Sequence, residues 1–336
     1  LANKFGLFSL ALMGRSRVLA KLGYGLLSSR FSRENFVVAS GIAEHHRLRH
    51  SGKESHARLR RNTHRLEKGL LMQPLRPVFG LAYLPQLVSD YRTQLNNHLA
   101  CAEELQWAYN VLAEYFNLVD TGHPLIAEQK QRFDHANHRH DAKKSYKPYP
   151  RSESLVQSIS YDQFKALAWQ RRSVRWFKNT PVERNKVEAA MEAASLAPSA
   201  CNRQPYQVYV IDKPELLERA THYPMGTAGW AHNIPMLAVI VGDFSSFEAA
   251  RDRHVPYIDA SLAAMNLMLA LETLGLSSCP INWPDIEIRE RRMAQLLKLD
   301  AWQRPIMCMA IGYAQEEGGI AYSQKKLPEQ LIRYVD

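Results

Sequence analysis

The chain of 336 residues has few cysteines and no long hydrophobic run. Its four cysteines, Cys101, Cys201, Cys279 and Cys308, lie far apart and form no CxxC pair. This spacing argues against a disulfide framework and a structural zinc site, and it is typical of a reducing compartment. The longest nearly apolar stretch near the start covers only residues 5–14, whereas a membrane-spanning helix needs roughly 20 residues. The sequence therefore predicts neither a disulfide-stabilised secreted domain nor a membrane-spanning protein.

The sequence also shows no internal repeat and no signal-peptide pattern. No period of 20–50 residues recurs, which argues against a solenoid. The chain starts at Leu1, and basic residues follow the first apolar run as much as they precede it, unlike the order in a signal peptide. We therefore expect a cytoplasmic protein, with peripheral contact at the inner membrane face as the alternative. The hydrophobic fraction of 46% is that of a globular chain.

The excess of positive over negative charge lies in the first half of the chain. Residues 1–150 hold 22 Lys and Arg against 12 Asp and Glu, whereas residues 151–336 hold 21 of each. Residues 1–100 alone carry 16 basic and 5 acidic side chains. The two halves must therefore present different surfaces.

A polar segment over residues 134–154, DHANHRHDAKKSYKPYPRSES, separates these halves and is predicted to be a linker. The sequence thus divides into a basic, mainly helical extension with its linker over residues 1–150 and a second domain over residues 155–336. In the extension, helical spacing predicts a helix over 99–119, with Leu105, Ala108, Tyr109, Leu112 and Phe116 on one face, and a basic helix over 51–71.

The second domain alternates between helical and buried-strand patterns. Helices are predicted over 187–196 and 259–274, and the second of these is apolar on nearly every side, with Gly275 following it as a C-terminal cap. Strands are predicted over 207–211, 235–241 and 305–311. Helices alternating with buried strands make this domain α/β or α+β.

Two motifs in this domain can carry chemistry. The first is RRSVRWF, in which Arg171, Arg172, Ser173 and Arg175 place three cations and a hydroxyl within five residues. Such a group can hold a phosphate and polarise a neighbouring carbonyl. Its alternative reading is a solvated basic turn.

The second motif is APSACNRQP, residues 197–205, in which two prolines bracket small and amide side chains directly before a strand. Amides offer both donors and acceptors, which suits the edge of a heterocycle. The alternative is an ordinary helix-to-strand loop, in which Cys201 is a small packing residue.

The two motifs together, about twenty residues apart, resemble the start of the nitroreductase family of FMN-dependent oxidoreductases. The resemblance continues through CPINW at 279–283, Gly312-Tyr313 and QKKLP at 324–328, and it covers roughly residues 165–332. It implies an α+β fold, a three-layer α/β/α domain with a mixed, largely antiparallel sheet, preceded by a mainly helical N-terminal region.

The resemblance also implies roles for individual residues. Arg171, Arg172, Ser173 and Arg175 match the N-terminal FMN contacts, and Pro198, Ser199, Ala200 and Asn202 match the loop against the ring and ribityl chain. Lys326, together with Lys325, matches the C-terminal phosphate contact, and Pro280, Ile281 and Asn282 would line the N5 side of the flavin. Gln204 would fix the loop rather than touch FMN. Many family members have Glu-Gly in place of Asn282-Trp283, and a tryptophan there could cover the substrate face.

In this family a hydride passes from NADH or NADPH to flavin N5 and then to an electron-poor acceptor, so no side chain need be catalytic. The resemblance implies nitroaromatic or quinone acceptors and an intertwined homodimer. The alternative is a non-catalytic or regulatory flavin-binding protein, docked through the extension to a membrane or a polysaccharide-biosynthesis complex. Flavin chemistry without nicotinamide is a third reading, and no feature of the sequence supports it.

The extension has its own motif, RRNTHRLEKGL over residues 60–70, which resembles extended bacterial nitroreductase relatives encoded among surface-polysaccharide genes. The first reading of the extension is a helical cap with a solvated basic face. The second is contact with a membrane surface or an acidic polymer, because Phe5, Leu7, Phe8, Leu10 and Leu12 with Arg15, Arg17 and Lys21 fit an interfacial helix. No pattern supports nucleic-acid binding. We expect solvent-exposed histidines rather than metal ligands at His45, His46, His135, His138 and His140.

Overall fold

The computed structural model describes residues 13–26, 28–29, 31–50, 56–97, 101–138, 140–154 and 158–335. The first part of the predicted interfacial helix, residues 5–12, lies outside these residues. Across the described ranges, no helix combines the length and the apolar character needed to cross a membrane.

The N-terminal region is helical, as predicted. Its helices are α1 (Arg17–Leu26), α2 (Ser32–His50), α3 (His56–Leu70), α4 (Leu84–Asn97), α5 (Ala102–Leu118) and α6 (Pro124–Asp134). Helices α3 to α6 share one apolar core, centred on Leu66, Leu87, Tyr91, Leu112 and Tyr115. Burial of this core makes the extension a folded unit with its own interior.

The extension packs directly on the second domain, chiefly through α2 and α3. Helix α2 lies on residues 244–246, where the Nδ1–H of His45 donates to the carbonyl of Ser245 at 2.8 Å. A Cβ on Gly41 would stand 2.6 Å from the Phe244 carbonyl carbon, so the backbones touch at this point. The extension is therefore a helical cap packed on the second domain.

The predicted solvated basic face is wrong for α3. Arg58 is buried and pairs with Asp90 at 2.8 Å, and Arg61 pairs with Glu248 of the second domain at 3.1 Å. These cations lie between packed elements, where a carboxylate offsets the cost of removing each charge from water. The arginines that the sequence predicts to be solvated therefore form ion pairs, within the extension and between the extension and the second domain.

The predicted linker carries little regular structure but is not free of the helices. Its backbone is held by side chains of α5, since Gln106 accepts from the Asp141 N–H at 2.6 Å and Asn110 from the Tyr146 N–H at 3.1 Å. The prediction of exposed histidines is wrong at two positions. His138 is half-buried against Tyr91, whose hydroxyl lies 3.0 Å from its Nδ1, and His45 of α2 is buried against Ser245.

The second domain has helices on both faces of a sheet. Its elements are α7 (Tyr161–Gln170), α8 (Arg184–Ser195), β1 (Tyr206–Ile211), α9 (Pro214–Ala220), β2 (Met236–Asp243), α10 (Val255–Thr273), β3 (Ser277–Asn282), α11 (Glu287–Leu297), β4 (Gln303–Gly312) and α12 (Pro328–Leu331). Helices α9 and α11 cover one face, and α8 and α10 cover the other. The expected three-layer α+β fold is confirmed.

The four strands are antiparallel in the order β1-β2-β4-β3. The chain before α8 adds to the open side of β3, because Ser173 forms a parallel bridge with Ser278. This pairing gives the sheet its mixed character and places the RRSVRWF motif beside β3. The predicted strands match β1, β2 and β4, whereas β3 was not predicted as a strand.

Helix α10 leads straight into β3 through a tight cap. Gly275 has a φ of +77°, a left-handed conformation that glycine adopts without a Cβ clash. The Leu276 N–H then donates to the Leu271 carbonyl at 2.9 Å, and the Gly275 N–H to the Glu272 carbonyl at 3.2 Å. This pair of bonds is a Schellman motif, as the sequence indicated.

The close contact at Gly41 gives a stability prediction. We expect Gly41→Ala to lower the free energy of unfolding by about 1–3 kcal/mol, because the new methyl group meets backbone that cannot rotate away. Gly25→Ala is the matched control, since a Cβ there meets open space on helix α1 and alanine favours a helix by up to about 1 kcal/mol. Urea unfolding measures both. Equal stability of the two variants would contradict the close packing of α2 on residues 244–246.

Candidate functional site

The first cluster of predicted site residues lies where α7 ends. A capping box begins α7, with the Gln163 N–H donating to Ser160 Oγ at 3.2 Å and the Ser160 N–H to Gln163 Oε1 at 2.8 Å. The chain then runs extended beside β3, fixed by the Val174 N–H donating to the Ser278 carbonyl at 3.1 Å. Val174 packs into the core, so Ser173 and Arg175 extend from the opposite side of the extended chain.

A cavity of about 480 Å³ opens beside this cluster. It is lined by four cations and one carboxylate, together with Ala166, Ala168 and Trp169; the charged residues are Lys165, Arg171, Arg172, Lys325 and Asp162. The Nε of Arg171 is buried there and has no hydrogen-bond partner among the described residues. An unpaired buried donor in a basic cavity fits an anionic ligand, which would satisfy it with a charge-assisted bond.

Arg172 joins this cavity to the C-terminal segment. Its guanidinium donates to the carbonyls of Ala321, at 3.2 Å, and Tyr322. The same group lies 5.2 Å from the Trp169 ring, a cation–π distance. Arg172 therefore fixes the segment that carries Lys325. Lys325 lines the cavity, and Lys326, the first phosphate contact of the sequence-based expectation, is not among the lining residues.

Cys279 on β3 lies among the residues of the first motif. Burial raises the pKa of its thiol, while the charges of Arg175 and Arg171 and a hydrogen bond from Ser173 act in the opposite direction. The thiol is therefore neutral and packs in the core. Arg171, Ser173 and Arg175 therefore all lie near this residue of β3.

The second cluster is the loop over residues 197–205. Gln204 holds it, since its backbone N–H donates to Ser199 Oγ and its side chain donates to the Ser195 carbonyl, each at 3.0 Å. The Ala200 N–H donates to Asp259 of α10, also at 3.0 Å. Gln204 thus fixes the loop, as predicted.

This loop is strained. Cys201, Asn202 and Gln204 have φ values of 54°, 52° and 50°, a left-handed region that costs a non-glycine residue about 1–3 kcal/mol. Such conformations persist only where surrounding contacts impose them, and they gather at ligand sites. One of these contacts comes from the extension, because Arg60 Nε donates to the Asn202 carbonyl at 2.7 Å. Sequence patterns could not have found this pair, which lies 142 positions apart.

The two clusters lie at opposite ends of α10. Asp259 binds the loop near one end of the helix, and Glu272 accepts from Gln170 of α7 at 3.2 Å near the other. Thirteen residues of helix separate these contacts, which corresponds to about 20 Å. Within the described residues of one chain, no hydrogen bond or ion pair joins the loop to the basic cavity.

The predicted site residues on β3 differ in their exposure to solvent. Ile281 is buried in the core, so its side chain does not line an open site, and Asn282 is exposed. Trp283 is only 6% exposed, and its indole Nε1–H donates to Glu290 at 2.9 Å. Glu290 in turn accepts from the buried Arg304. Trp283 is thus a core residue, and the expectation that it could cover the substrate face is wrong.

Comparison with known proteins finds relatives of the second domain. The model of the Nitroreductase family matches residues 168–228 and 215–313. An NADH dehydrogenase from Thermus thermophilus is 27% identical over 199 residues, covering 50% of this chain and 93% of that protein. An FMN reductase [NAD(P)H] from Bacillus subtilis is 23% identical over 178 residues, covering 48% and 69%. Iodotyrosine deiodinase 1 from Homo sapiens is 23% identical over 219 residues, covering 56% and 73%.

The second domain is therefore similar to the nitroreductase family over residues 168–313, and the relatives that it matches are oxidoreductases by name. The matched region contains the RRSVRWF motif, the strained loop and all four strands of the sheet. The basic cavity reaches beyond it on both sides, through Lys165 of α7 and Lys325 of the C-terminal segment.

The burial of Trp283 leads to a test of its role. We expect Trp283→Phe to lower the free energy of unfolding by about 1–3 kcal/mol, because it removes the donor to the buried Glu290 carboxylate. Ligand binding at the basic cavity should not change, since the indole lies in the core. Thermal unfolding with and without added FMN measures both effects. A stable variant with altered flavin binding would instead place Trp283 at the flavin.

Proposed function

We propose that this protein is an FMN-dependent oxidoreductase that passes a hydride from NADH or NADPH to an electron-poor small molecule. The observation that carries the proposal is the basic cavity with the unpaired buried Nε of Arg171. A phosphate group would satisfy this donor and balance the surrounding cations. The names of two relatives, an FMN reductase [NAD(P)H] and an NADH dehydrogenase, support the same cofactor and donor.

In this proposal the basic cavity holds the FMN phosphate. Arg171 and Lys325 are the donors to the phosphate, because both line the cavity. Lys326 follows directly in the chain and would add a cation at the entrance. Arg172 already binds two main-chain carbonyls, so its part is to position the C-terminal segment.

Bound FMN would supply the redox chemistry by accepting and returning a hydride. The chain's own groups bind and orient it: Ser173 donates a hydroxyl to the ribityl chain, and Arg175 adds positive charge at the pyrimidine edge. The main chain of β3 at Pro280 and Asn282 lines the N5 side, and the loop of Pro198, Ser199, Ala200 and Asn202 faces the ring. No side chain acts as a nucleophile or a general base in this proposal.

The separation of the two clusters favours a homodimer with shared sites. A second copy would have to bring its loop to the basic cavity, since the two lie about 20 Å apart along α10 in one chain. Helix α10 exposes an apolar stripe that suits such a partner, with Ile258 56%, Leu262 43% and Met265 38% exposed. Apolar side chains at this spacing form one helix face.

Flat, electron-poor rings such as nitroaromatics and quinones are the acceptors we propose, because they stack on a flavin. The relatives' names point to different reactants, among them FMN and iodotyrosine, so a panel of acceptors is needed. The alternative of a non-catalytic flavin-binding protein rested on a tryptophan covering the ring. The burial of Trp283 removes that support.

Cofactor binding provides the direct test. The purified protein should show flavin absorption in the visible region, which bleaches when NADH or NADPH is added without oxygen. Arg171→Ala combined with Lys325→Ala should raise the Kd for FMN by about 100-fold or more, because each donor to a charged group contributes about 1.5–3 kcal/mol. Titration of the apoprotein with FMN measures this loss.

Two comparisons sharpen the cofactor test. The double variant Arg171→Ala with Lys326→Ala should lose less affinity for FMN than the double variant Arg171→Ala with Lys325→Ala. Lys178→Ala with Arg333→Ala removes the same charge away from the cavity and should bind FMN normally. Unchanged FMN affinity in the first double variant would refute the phosphate assignment. Bound flavin that NADH and NADPH fail to bleach would favour the non-catalytic reading.

The start of the extension supports contact with an anionic membrane surface. Helix α1 exposes Val18, Leu19 and Leu22 beside the exposed cations Arg17 and Lys21. No acidic residue occurs before position 34. An exposed apolar stripe flanked only by positive charge fits the interface of anionic lipids, where each cation contributes about 1 kcal/mol.

Vesicle binding tests this surface. The protein should sediment with vesicles containing phosphatidylglycerol and not with pure phosphatidylcholine vesicles, and Val18→Ser with Leu22→Ser should abolish the binding. Leu216→Ser with Ile288→Ser alters exposed apolar residues elsewhere and should leave it intact. Retention on an acidic polysaccharide without vesicle binding would show a polymer-binding face instead.

A further inference from the structure

The motif RRNTHRLEKGL of the extension lies on α3, and α3 packs against the strained loop of the second domain. Arg60 makes the contact, since its Nε donates to the Asn202 carbonyl at 2.7 Å. Neighbouring α3 residues contact other parts of the molecule, such as Arg61 with Glu248. Among the described residues, Arg60 is therefore the side chain of this motif that hydrogen-bonds the loop.

The guanidinium of Arg60 is held on three sides. Besides the Asn202 carbonyl, it contacts Glu104 of α5 at 3.3 Å and lies 5.4 Å from the Trp107 ring. Trp107 is itself fixed, because its indole N–H donates to Glu67 of α3 at 2.8 Å. The side chain is only 20% exposed. A planar cation fixed in this way presents its Nε–H in one direction.

The contacts inside the loop leave the Asn202 carbonyl to the extension. Ser199, Gln204 and Asp259 fix the loop on either side of Cys201 and Asn202. The Asn202 N–H donates to the Ser199 carbonyl at 3.0 Å. Among the described residues, Arg60 is the hydrogen-bond donor to the Asn202 carbonyl. The bond restrains the peptide group between Asn202 and Arg203, which directly follows the two left-handed residues Cys201 and Asn202.

We propose that Arg60 is a positioning residue for the flavin, through which the extension holds the loop of the second domain in its ligand-facing conformation. The proposal rests on the proposed function only where it concerns FMN. It makes the extension a structural part of the redox site, in addition to any docking role. Removing the Arg60 donor should free the peptide after Asn202 and loosen the whole loop.

The test compares substitutions at Arg60 with one at Arg61. Arg60→Met keeps the length of the side chain without a donor, and Arg60→Lys restores a donor and the charge. Arg61→Met breaks the neighbouring ion pair with Glu248 and leaves the Asn202 carbonyl bonded. All variants are made in the full chain, and thermal unfolding verifies that each one folds.

The first measurement is hydrogen–deuterium exchange of the amides at residues 199–204 without any cofactor. Arg60→Met should speed their exchange by about 10-fold or more, since a lost hydrogen bond to a charged group permits local opening. Arg60→Lys should restore slow exchange, and Arg61→Met should not change it. Equal protection in Arg60→Met and wild type would overturn the proposal, whether or not the protein binds FMN.

The second measurement is FMN affinity together with the reduction potential of the bound flavin. Arg60→Met should raise the Kd by about 10-fold and shift the potential, with both restored by Arg60→Lys. A general loss of stability would move Arg60→Met and Arg61→Met alike, which would contradict a positioning role. Absence of FMN binding in the wild type would refute the proposed function, while the exchange result would still decide the role of Arg60.

Discussion

Burial of helix α10 against the sheet is the interaction on which the rest of the second domain depends. Its inner face, including Ala260, Ala264, Leu267 and Leu271, packs on the strands. Because the helix is anchored in this way, Asp259 and Glu272 become fixed points for the loop and for α7. The two halves of the candidate site are therefore positioned by one helix, and its capped end leads directly into β3.

This arrangement keeps the basic cavity and the strained loop apart within one chain. The basic cavity and the strained loop are rigidly spaced by the length of α10, so neither can move to the other without unpacking the core. The outer face of the same helix is apolar and exposed. In the proposed homodimer, burying that face against a second copy would remove it from water and bring the partner's loop toward each basic cavity.

The sequence predicted the parts of the fold that local patterns encode. Strands β1, β2 and β4 are apolar runs. Helix α10 is followed by Gly275, whose left-handed conformation is typical of a helix cap. Strand β3 was missed because Ser277, Ser278 and Pro280 have low strand propensity, and its pairing with β4 and Ser173 is a tertiary effect. A proline is tolerated there because the ladder does not require its N–H.

The same distinction holds for the candidate site. The RRSVRWF motif and the loop were identified because each is contiguous in the sequence. Which of Lys325 and Lys326 lines the basic cavity depends on how the C-terminal segment packs, and Arg172 holds that segment through its bonds to Ala321 and Tyr322. The burial of Trp283 depends on Glu290 and Arg304, which lie on other elements. No local pattern contains this information.

The charge of the extension shows why composition alone misleads. An excess of cations over residues 1–100 suggests a solvated basic face, yet Arg58, Arg60 and Arg61 are each held by a carboxylate or a carbonyl. A buried cation is tolerated only when such partners surround it, so its presence at a junction fixes the geometry of both sides. A loop in a strained conformation needs constraints of this kind. Arg60 meets that need because its own position is determined by Glu104 and Trp107, so the helical core of the extension sets the conformation of a loop in another domain.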